Sequence, residues 1–197
     1  MIYTVCASIL RLIYRVLFRL EAVGRENVPA EGGVLLCSNH ISNLDPPTVG
    51  ILLKRKVHFM AKAELFNVPV LGPLIDKLGA FPVKRGGVSK ESIKLALNIL
   101  REGKVMGIFP EGSRGAGGIG KKGAASFALR SGAAAVPVAI IGDYKLFRKT
   151  KVIYGKPVNL DAYQKGTDVE GDPLELATEA IMSRICTMKE TGKPTND

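Results

Sequence analysis

The sequence predicts an α/β fold with a mixed, largely parallel central sheet flanked by helices. Short apolar runs of strand length alternate with longer segments of helical periodicity along most of the chain. The runs at residues 33–38 and 105–109 are continuously apolar, as expected of strands that are buried on both faces of a parallel sheet. Of the 197 residues, 46% are apolar and 23% are charged, which fits one folded domain and excludes a disordered chain.

Each element follows from its apolar period, its length and the turn residues that bound it. Predicted strands cover residues 20–24, 33–38, 57–61, 80–83, 105–109, 134–141 and 151–154. Predicted helices cover residues 1–20, 46–53, 70–78, 88–102, 123–130 and 173–189. We expect Asp45 to cap the helix at 46–53, with proline in its first turn, and Gly103 to end the helix at 88–102.

The first 20 residues are apolar apart from three arginines and a few small polar residues. Arg11, Arg15 and Arg19 recur every four residues, so a helix would place them in one narrow stripe with apolar residues around most of the rest. This pattern is typical of a helix that lies in the headgroup interface of a membrane, where each Arg adds about 1 kcal/mol beside an anionic leaflet. We therefore predict a membrane-associating helix over residues 1–22.

Two other interpretations of this segment stay open. It could be a core helix whose arginines reach water along their aliphatic stems, or a single tilted span, although three arginines at bilayer depth are costly. A secretory signal is not expected, because such a signal places its positive charge before its apolar run and carries a small-residue cleavage site after it.

The net charge limits the possible partners, and the spacing of the cysteines limits the possible cross-links, metal sites and location. A formal net charge of +10 favours an anionic partner such as a phosphate group, an acidic membrane or nucleic acid. Nucleic acid is not expected, because aromatic residues make up only 6%, tryptophan is absent and no known binding module is recognisable. Cys6, Cys37 and Cys186 are far apart, which argues against disulfides and zinc and suits the cytoplasmic face of a membrane.

A histidine and an aspartate flank the loop that follows the predicted strand at 33–38. They are His40 and Asp45 in the run SNHISNLDPP. Sites in parallel sheets form at the carboxyl ends of strands, and one turn of loop can fold Asp45 back onto the Nδ1 proton of His40. Nε2 of His40 would then be free to take a proton from a hydroxyl. The alternative is that Asp45 is only a helix cap and His40 an ordinary loop residue.

The other histidine, His58, lies inside a predicted strand and is expected to be a half-buried sheet residue. Because no further His or Cys cluster accompanies His40, we expect no metal site and no metal-assisted hydrolysis.

Three more predicted strands end in residues that suit an anion. The run FPEGSR brings Glu111, Gly112 and Arg114 to the end of one strand, where Gly112 permits a tight turn and Arg114 suits a phosphate. The following GAGGIGKKG lacks the order of a phosphate-binding Walker loop, so no ATP site is expected. Further cations follow two other strands, and with Arg114 they could surround one anion: Lys62, Lys84 and Arg85.

Four runs occur in the order SNHISNLDPP, GAFPVKR, FPEGSR and VPVAI. Together they resemble the motif blocks of the glycerolipid acyltransferase family, and in particular its bacterial 1-acyl-glycerol-3-phosphate acyltransferases. The resemblance covers residues 24–157, so it implies an acyltransferase domain over residues 23–190 followed by a polar tail at 191–197. Two blocks depart from the common pattern: Ser113 stands where Thr is commoner, and Pro82 and Val83 stand where Phe and Ile are common.

The resemblance implies a reaction in which an acceptor hydroxyl attacks the thioester of acyl-CoA or acyl carrier protein directly, with no cofactor. His40 resembles the family's general base and Asp45 its partner. The resemblance also implies residues that bind the phosphate-bearing acceptor, a lysophosphatidic acid: Lys62, Arg85, Glu111, Gly112 and Arg114. Pro137 matches the fourth block and is expected to shape its strand. The implied location is peripheral or monotopic on the cytoplasmic face of a phospholipid membrane.

Other functions compatible with the same residues stay open. Within the family, the acceptor could be glycerol 3-phosphate or another lysolipid. From a different class, the chain could be a non-catalytic basic protein that binds membranes or nucleic acid, although an intact pair of His40 and Asp45 argues against this.

Overall fold

The computed structural model of the protein describes residues 2–83, 89–112, 120–164, 167 and 170–195. Its α-helices are α1 (Ile2–Leu17), α2 (Asp45–Gly50), α3 (Leu71–Lys77), α4 (Lys90–Arg101), α5 (Gly123–Ser131) and α6 (Pro173–Thr191). Its strands are β1 (Glu21–Val23), β2 (Val34–Ser38), β3 (Val57–Lys62), β4 (Ala80–Val83), β5 (Val105–Ile108), β6 (Ala134–Ile141) and β7 (Lys151–Tyr154). Short 3-10 turns cover Arg25–Asn27, Ala63–Asn67 and Asp161–Tyr163.

The seven strands form one sheet in the order β1-β7-β6-β2-β5-β3-β4. Every neighbouring pair is parallel except β6 and β7, which run antiparallel. The sheet is therefore mixed and largely parallel, as predicted. Strands β2 to β6 all end at one edge of the sheet, which we call the carboxyl edge. Strand β7 starts there, because Lys151 lies opposite Ile141, and β1 starts there too, because Glu21 lies opposite Lys151.

Helices cover both faces of the sheet and complete two apolar cores. On one face, α1 and α2 pack against strand residues such as Leu36 and Val138. On the other face, α4, α5 and α6 pack against neighbours such as Leu35 and Ala135. All five residues of β2 are buried, as predicted for a continuous apolar run, and each fully buried Leu there contributes about 1.5–3 kcal/mol. This rigid central strand carries the loop that contains His40.

The predicted strands all exist, and several of their boundaries differ by one residue. The helix expected at 46–53 ends earlier, at Gly50. The expectation that Asp45 is its N-cap is wrong, because Leu44 occupies the cap position and Asp45 is the first helical residue. The Asp45 carboxylate instead accepts bonds from the loop before the helix. Ser89 caps α4, and the predicted start of that helix at residue 88 lies outside the described residues.

Helix α1 has a core face and an exposed apolar face. Ala7 and Tyr14 are buried against the sheet, and Arg11 donates from Nε (2.9 Å) and Nη2 (2.6 Å) to the carbonyl of Ile51. The exposed apolar face consists of Val5, Ile9, Leu12, Ile13 and Val16, each between 41% and 64% exposed. Among the residues that the structure describes, no helix combines the length and apolarity needed to cross a bilayer. One face of the helix thus belongs to the core, as one of the open interpretations expected, and the opposite face is apolar and exposed.

The predicted arginine stripe is shorter than the sequence suggested. Arg19 lies beyond the end of α1 with a positive φ of 44°, so only Arg11 and Arg15 share the helix. After the helix the chain enters β1, which begins at the carboxyl edge, where Glu21 N donates to Thr150 O (3.0 Å).

Candidate active site

The loop that follows β2 is fixed to the neighbouring strand β6. Asn39, only 1% exposed, accepts a bond from Ile140 N at Oδ1 (2.7 Å) and donates from Nδ2 to Ile140 O (3.1 Å). These two bonds extend the pairing of β2 and β6 by one residue. His40 therefore leaves the sheet at a defined place on the carboxyl edge, with 19% of its side chain exposed.

Asp45 is fully buried, and its carboxylate accepts four hydrogen bonds. Oδ2 accepts from His40 Nδ1 (2.7 Å), Ile41 N (2.6 Å) and Ser42 N (2.7 Å). Oδ1 accepts from the hydroxyl of Tyr144 (2.7 Å). A carboxylate has no proton to donate, so Nδ1 of His40 must carry the hydrogen of this bond. In the neutral ring the lone pair then lies on Nε2, which is the atom that can accept a proton.

Tyr144 is a member of this cluster that sequence reasoning missed. Burial, with the negative charge of Asp45 adding to it, raises the pKa of Tyr144 well above its ordinary value, so the phenol keeps its proton and stays a donor. Its ring contacts Phe18 edge-to-face (5.6 Å between centroids). Tyr144 is 99 positions from Asp45, and the signal that could have found it is its place just past β6, beside the end of β2.

His40 also belongs to a stack of rings. Phe109 lies parallel to the imidazole at 4.2 Å and 19°, and Phe59 lies parallel to Phe109 at 6.0 Å and 18°. Gly107 makes room for this stack, because a Cβ there would lie 2.0 Å from the ring of Phe59. The sequence predicted Phe109 as the end of a strand and the first residue of the run FPEGSR, and assigned it no role in the site. Phe109 covers one face of the His40 ring. The hydrogen bond from Nδ1 of His40 to Asp45 restricts rotation of that ring about its bond to Cβ.

The run that follows β5 forms a tight turn at the carboxyl edge. Gly112 adopts a positive φ of 69°, and its N–H donates to Phe109 O (3.0 Å). Glu111 is buried, and Lys121 N closes the turn by donating to Pro110 O (2.8 Å). Arg114, a predicted phosphate ligand, lies outside the described residues, as does Ser113.

Of the remaining predicted cations, one is among the described residues and two are not. Lys62 is exposed at the carboxyl end of β3, opposite Val83 in the last pair of β3 and β4. Lys84 and Arg85, which follow β4 in the sequence, lie outside the described residues. The structure thus brings His40, Asp45, Glu111, Gly112 and Lys62 to the carboxyl edge. It does not describe Arg85 or Arg114.

His58 is a half-buried sheet residue, as predicted. Its Nδ1 lies 3.0 Å from Gly79 O, and burial lowers the pKa of the ring. No group of three potential metal ligands occurs within the described residues.

Known proteins are similar to this chain in sequence. The sequence profile of the family described as Acyltransferase matches residues 19–141. The chain is 34% identical over 190 residues to 1-acyl-sn-glycerol-3-phosphate acyltransferase of Bacillus subtilis, covering 93% of this chain and 94% of that protein. A protein of the same name from Borreliella burgdorferi is 29% identical over 136 residues, covering 66% of this chain and 54% of its own. The range matched by the family profile, residues 19–141, contains every residue of the predicted site.

A solved structure is also similar to this one. The crystal structure of the 1-acyl-sn-glycerophosphate (LPA) acyltransferase PlsC from Thermotoga maritima aligns with a TM-score of 0.65 and 25% identity. The alignment covers 86% of this chain and 72% of that chain, so the shared fold extends beyond the four motif runs.

The ring stack makes a prediction about Gly107. Gly107→Ala should lower the free energy of unfolding by about 1–3 kcal/mol, because the added methyl must displace the buried Phe59 ring and disturb the stack on His40. Urea unfolding followed by circular dichroism measures this. Gly123→Ala is the matched control, since nothing lies within 4 Å of its Cβ position and it is helical. Equal effects of the two substitutions would contradict the packing role of Gly107.

Proposed function

Since the chain belongs to the acyltransferase family, we propose that it moves a fatty acyl group from acyl-CoA or acyl carrier protein to the sn-2 hydroxyl of 1-acyl-glycerol 3-phosphate, giving phosphatidic acid. The observation that carries the proposal is the pair of His40 and Asp45 at the carboxyl edge. It occurs in a chain that aligns along 93% of its length with a Bacillus subtilis protein named for this reaction.

The proposed reaction needs one general base. Nε2 of His40 takes the proton of the acceptor hydroxyl while the hydroxyl oxygen attacks the thioester carbonyl. The tetrahedral intermediate then collapses to the new ester and expels the thiolate, which receives the proton from the imidazolium. Asp45 stabilises that imidazolium through its bond to Nδ1. General-base assistance of this kind contributes roughly 10²–10⁴ in rate.

The groups behind His40 serve to hold it in one orientation. Asp45 is itself held by Tyr144 and by two backbone N–H groups, so its carboxylate cannot rotate without breaking bonds. Phe109 packs flat on the imidazole. Such preorganisation reduces the cost of reaching the attack geometry. Tyr144 is thus a positioning residue in this proposal, because it acts through Asp45.

We assign the acceptor phosphate to the cations that follow the strands at the carboxyl edge. Lys62 is exposed there, and Arg85 and Arg114 follow neighbouring strands in the sequence. Guanidinium groups suit a phosphate because they donate two parallel hydrogen bonds. Glu111 and Gly112 form the adjoining turn, where a buried carboxylate can orient these cations or the acceptor. No metal or other cofactor takes part in this scheme.

The exposed apolar face of α1 supports a lipid acceptor over free glycerol 3-phosphate. Five apolar side chains lie exposed along this helix, and an arrangement of this kind inserts into the headgroup region of a membrane. We therefore propose a peripheral or monotopic location on the cytoplasmic face, where a membrane-resident lysolipid meets a donor from solution.

The first test is acyl transfer by the purified protein in mixed micelles with lysophosphatidic acid. Wild-type protein should form phosphatidic acid, and His40→Ala should lower kcat by about 10²–10⁴ because the base is gone. His58→Asn is the matched control, since Asn can still donate to Gly79 O, and it should keep turnover within a few-fold. Full turnover by His40→Ala would contradict the proposed base. No product from wild type with either donor would contradict the proposed acceptor.

The positioning role of Tyr144 predicts a split between kcat and KM. Tyr144→Phe removes one hydrogen bond to a buried carboxylate, so kcat should fall about tenfold while KM for the acceptor stays unchanged. Steady-state kinetics in the same micelles measure both constants. Tyr163→Phe, in a turn away from the site, is the control. An unchanged kcat, or a change confined to KM, would rule this role out.

The interface role of α1 predicts loss of vesicle binding. The triple variant Ile9→Ser, Leu12→Ser and Val16→Ser should partition onto anionic vesicles at least about tenfold more weakly, because it removes exposed apolar area and leaves Tyr14 in the core. Cosedimentation measures the partition. Leu95→Ser, on the exposed face of α4, is the control. If the triple variant binds as wild type does, the helix is not the anchor.

A further inference from the structure

The loop that joins β6 to β7 presents two large apolar side chains to solvent. Leu146 is 62% exposed and Phe147 is 66% exposed, and we call these two residues the loop tip. Phe147 has a positive φ of 62°, a conformation that a bulky residue seldom adopts. Strain of this kind persists where the surrounding structure imposes it and often marks a functional segment. The loop therefore exposes the aromatic ring of Phe147 to solvent, although the backbone of this residue adopts an unfavourable conformation.

The loop tip is attached to the carboxyl-terminal end of α1. Phe147 N donates to Leu17 O (2.6 Å), and Thr150 N donates to Phe18 O (2.9 Å). Leu17 directly follows Val16, the last member of the exposed apolar face of α1. The loop tip is thus joined by backbone hydrogen bonds to the end of the helix that carries this exposed apolar face.

Residues 15–21 and 142–150, which include the end of α1 and the loop, carry five cations and two carboxylates. Two carboxylates each pair with a lysine of the loop: Asp143 with Lys145 (2.8 Å), and Glu21 with Lys149. The cations, all exposed, are Arg15, Arg19, Lys145, Arg148 and Lys149. Apolar side chains that insert, bordered by cations that stay at the headgroups, match an anionic lipid surface.

The position of the loop links this surface to the site. The loop lies at the carboxyl edge, because Ile141 and Lys151, its flanking residues, pair there. Tyr144, two residues before the loop tip, bonds to Asp45. We propose that Leu146 and Phe147 insert into an anionic lipid surface beside α1 and turn the carboxyl edge toward the membrane. Resting on the proposed function, this orientation would bring the headgroup of a lysolipid acceptor to His40 without extraction of its acyl chain.

The chain has no tryptophan, so one introduced Trp reports on its own surroundings. Phe147→Trp should show a blue-shifted emission on vesicles of equal parts phosphatidylcholine and phosphatidylglycerol, and brominated acyl chains should quench it. Leu95→Trp, exposed on α4 on the opposite face of the sheet, should show neither change. Emission of Phe147→Trp that stays unshifted and unquenched while the protein cosediments with vesicles would overturn the proposal. A shift that follows protein concentration without vesicles would instead indicate a second copy and also overturn it.

A second variant tests the energetic contribution of the loop tip. Leu146→Ser with Phe147→Ser should weaken vesicle binding about tenfold or more, whereas Leu95→Ser should not. Circular dichroism checks that the double variant is folded, and unchanged binding by the folded variant overturns the proposal. Neither experiment depends on turnover. A protein that inserts its loop tip yet forms no phosphatidic acid would therefore contradict the proposed function and leave this inference standing.

Discussion

The buried carboxylate of Asp45 is the constraint around which the site is built. A carboxylate without access to water is costly unless hydrogen bonds replace its hydration. Asp45 is 0% exposed and accepts four such bonds. Three of the donors, the His40 ring among them, belong to the loop after β2, and the fourth is the distant Tyr144, so both segments must be in place together. The cost of leaving the charge unsatisfied thus enforces the loop geometry and the orientation of the imidazole at once.

The order of the strands explains why these segments can meet. Strand β2 lies between β6 and β5, so the loops after all three strands leave the sheet side by side. The loop after β5 supplies Phe109 to the His40 ring, and the loop after β6 supplies Tyr144 to Asp45. Phe18, the residue after helix α1, connects this helix to the same network, because its ring packs on Tyr144 and on Tyr14 of the helix. In the proposed function, the lipid-facing surface and the base are therefore parts of one packed unit.

The sequence predicted the parts of this arrangement that depend on short-range pattern. The sheet, its carboxyl edge and the closeness of His40 to Asp45 follow from apolar runs and a five-residue spacing. Tyr144 could not be found this way, because its contact depends on which strands become neighbours. The assignment of Asp45 as a helix cap was wrong because it is the first residue of α2 and its carboxylate accepts from the backbone N–H groups of Ile41 and Ser42, in the loop before the helix. The predicted phosphate ligands Arg85 and Arg114 lie outside the described residues.

The most direct test of the central claim is the protonation pattern of the His40 ring. The chain has only two histidines, so long-range proton–nitrogen correlation NMR on labelled protein can resolve both rings. With Asp45 as the hydrogen-bond acceptor, the neutral His40 ring should be a single tautomer that is protonated at Nδ1 and unprotonated at Nε2. A proton on Nε2, or two tautomers in rapid exchange, would contradict the claim that Asp45 holds His40 ready as a base.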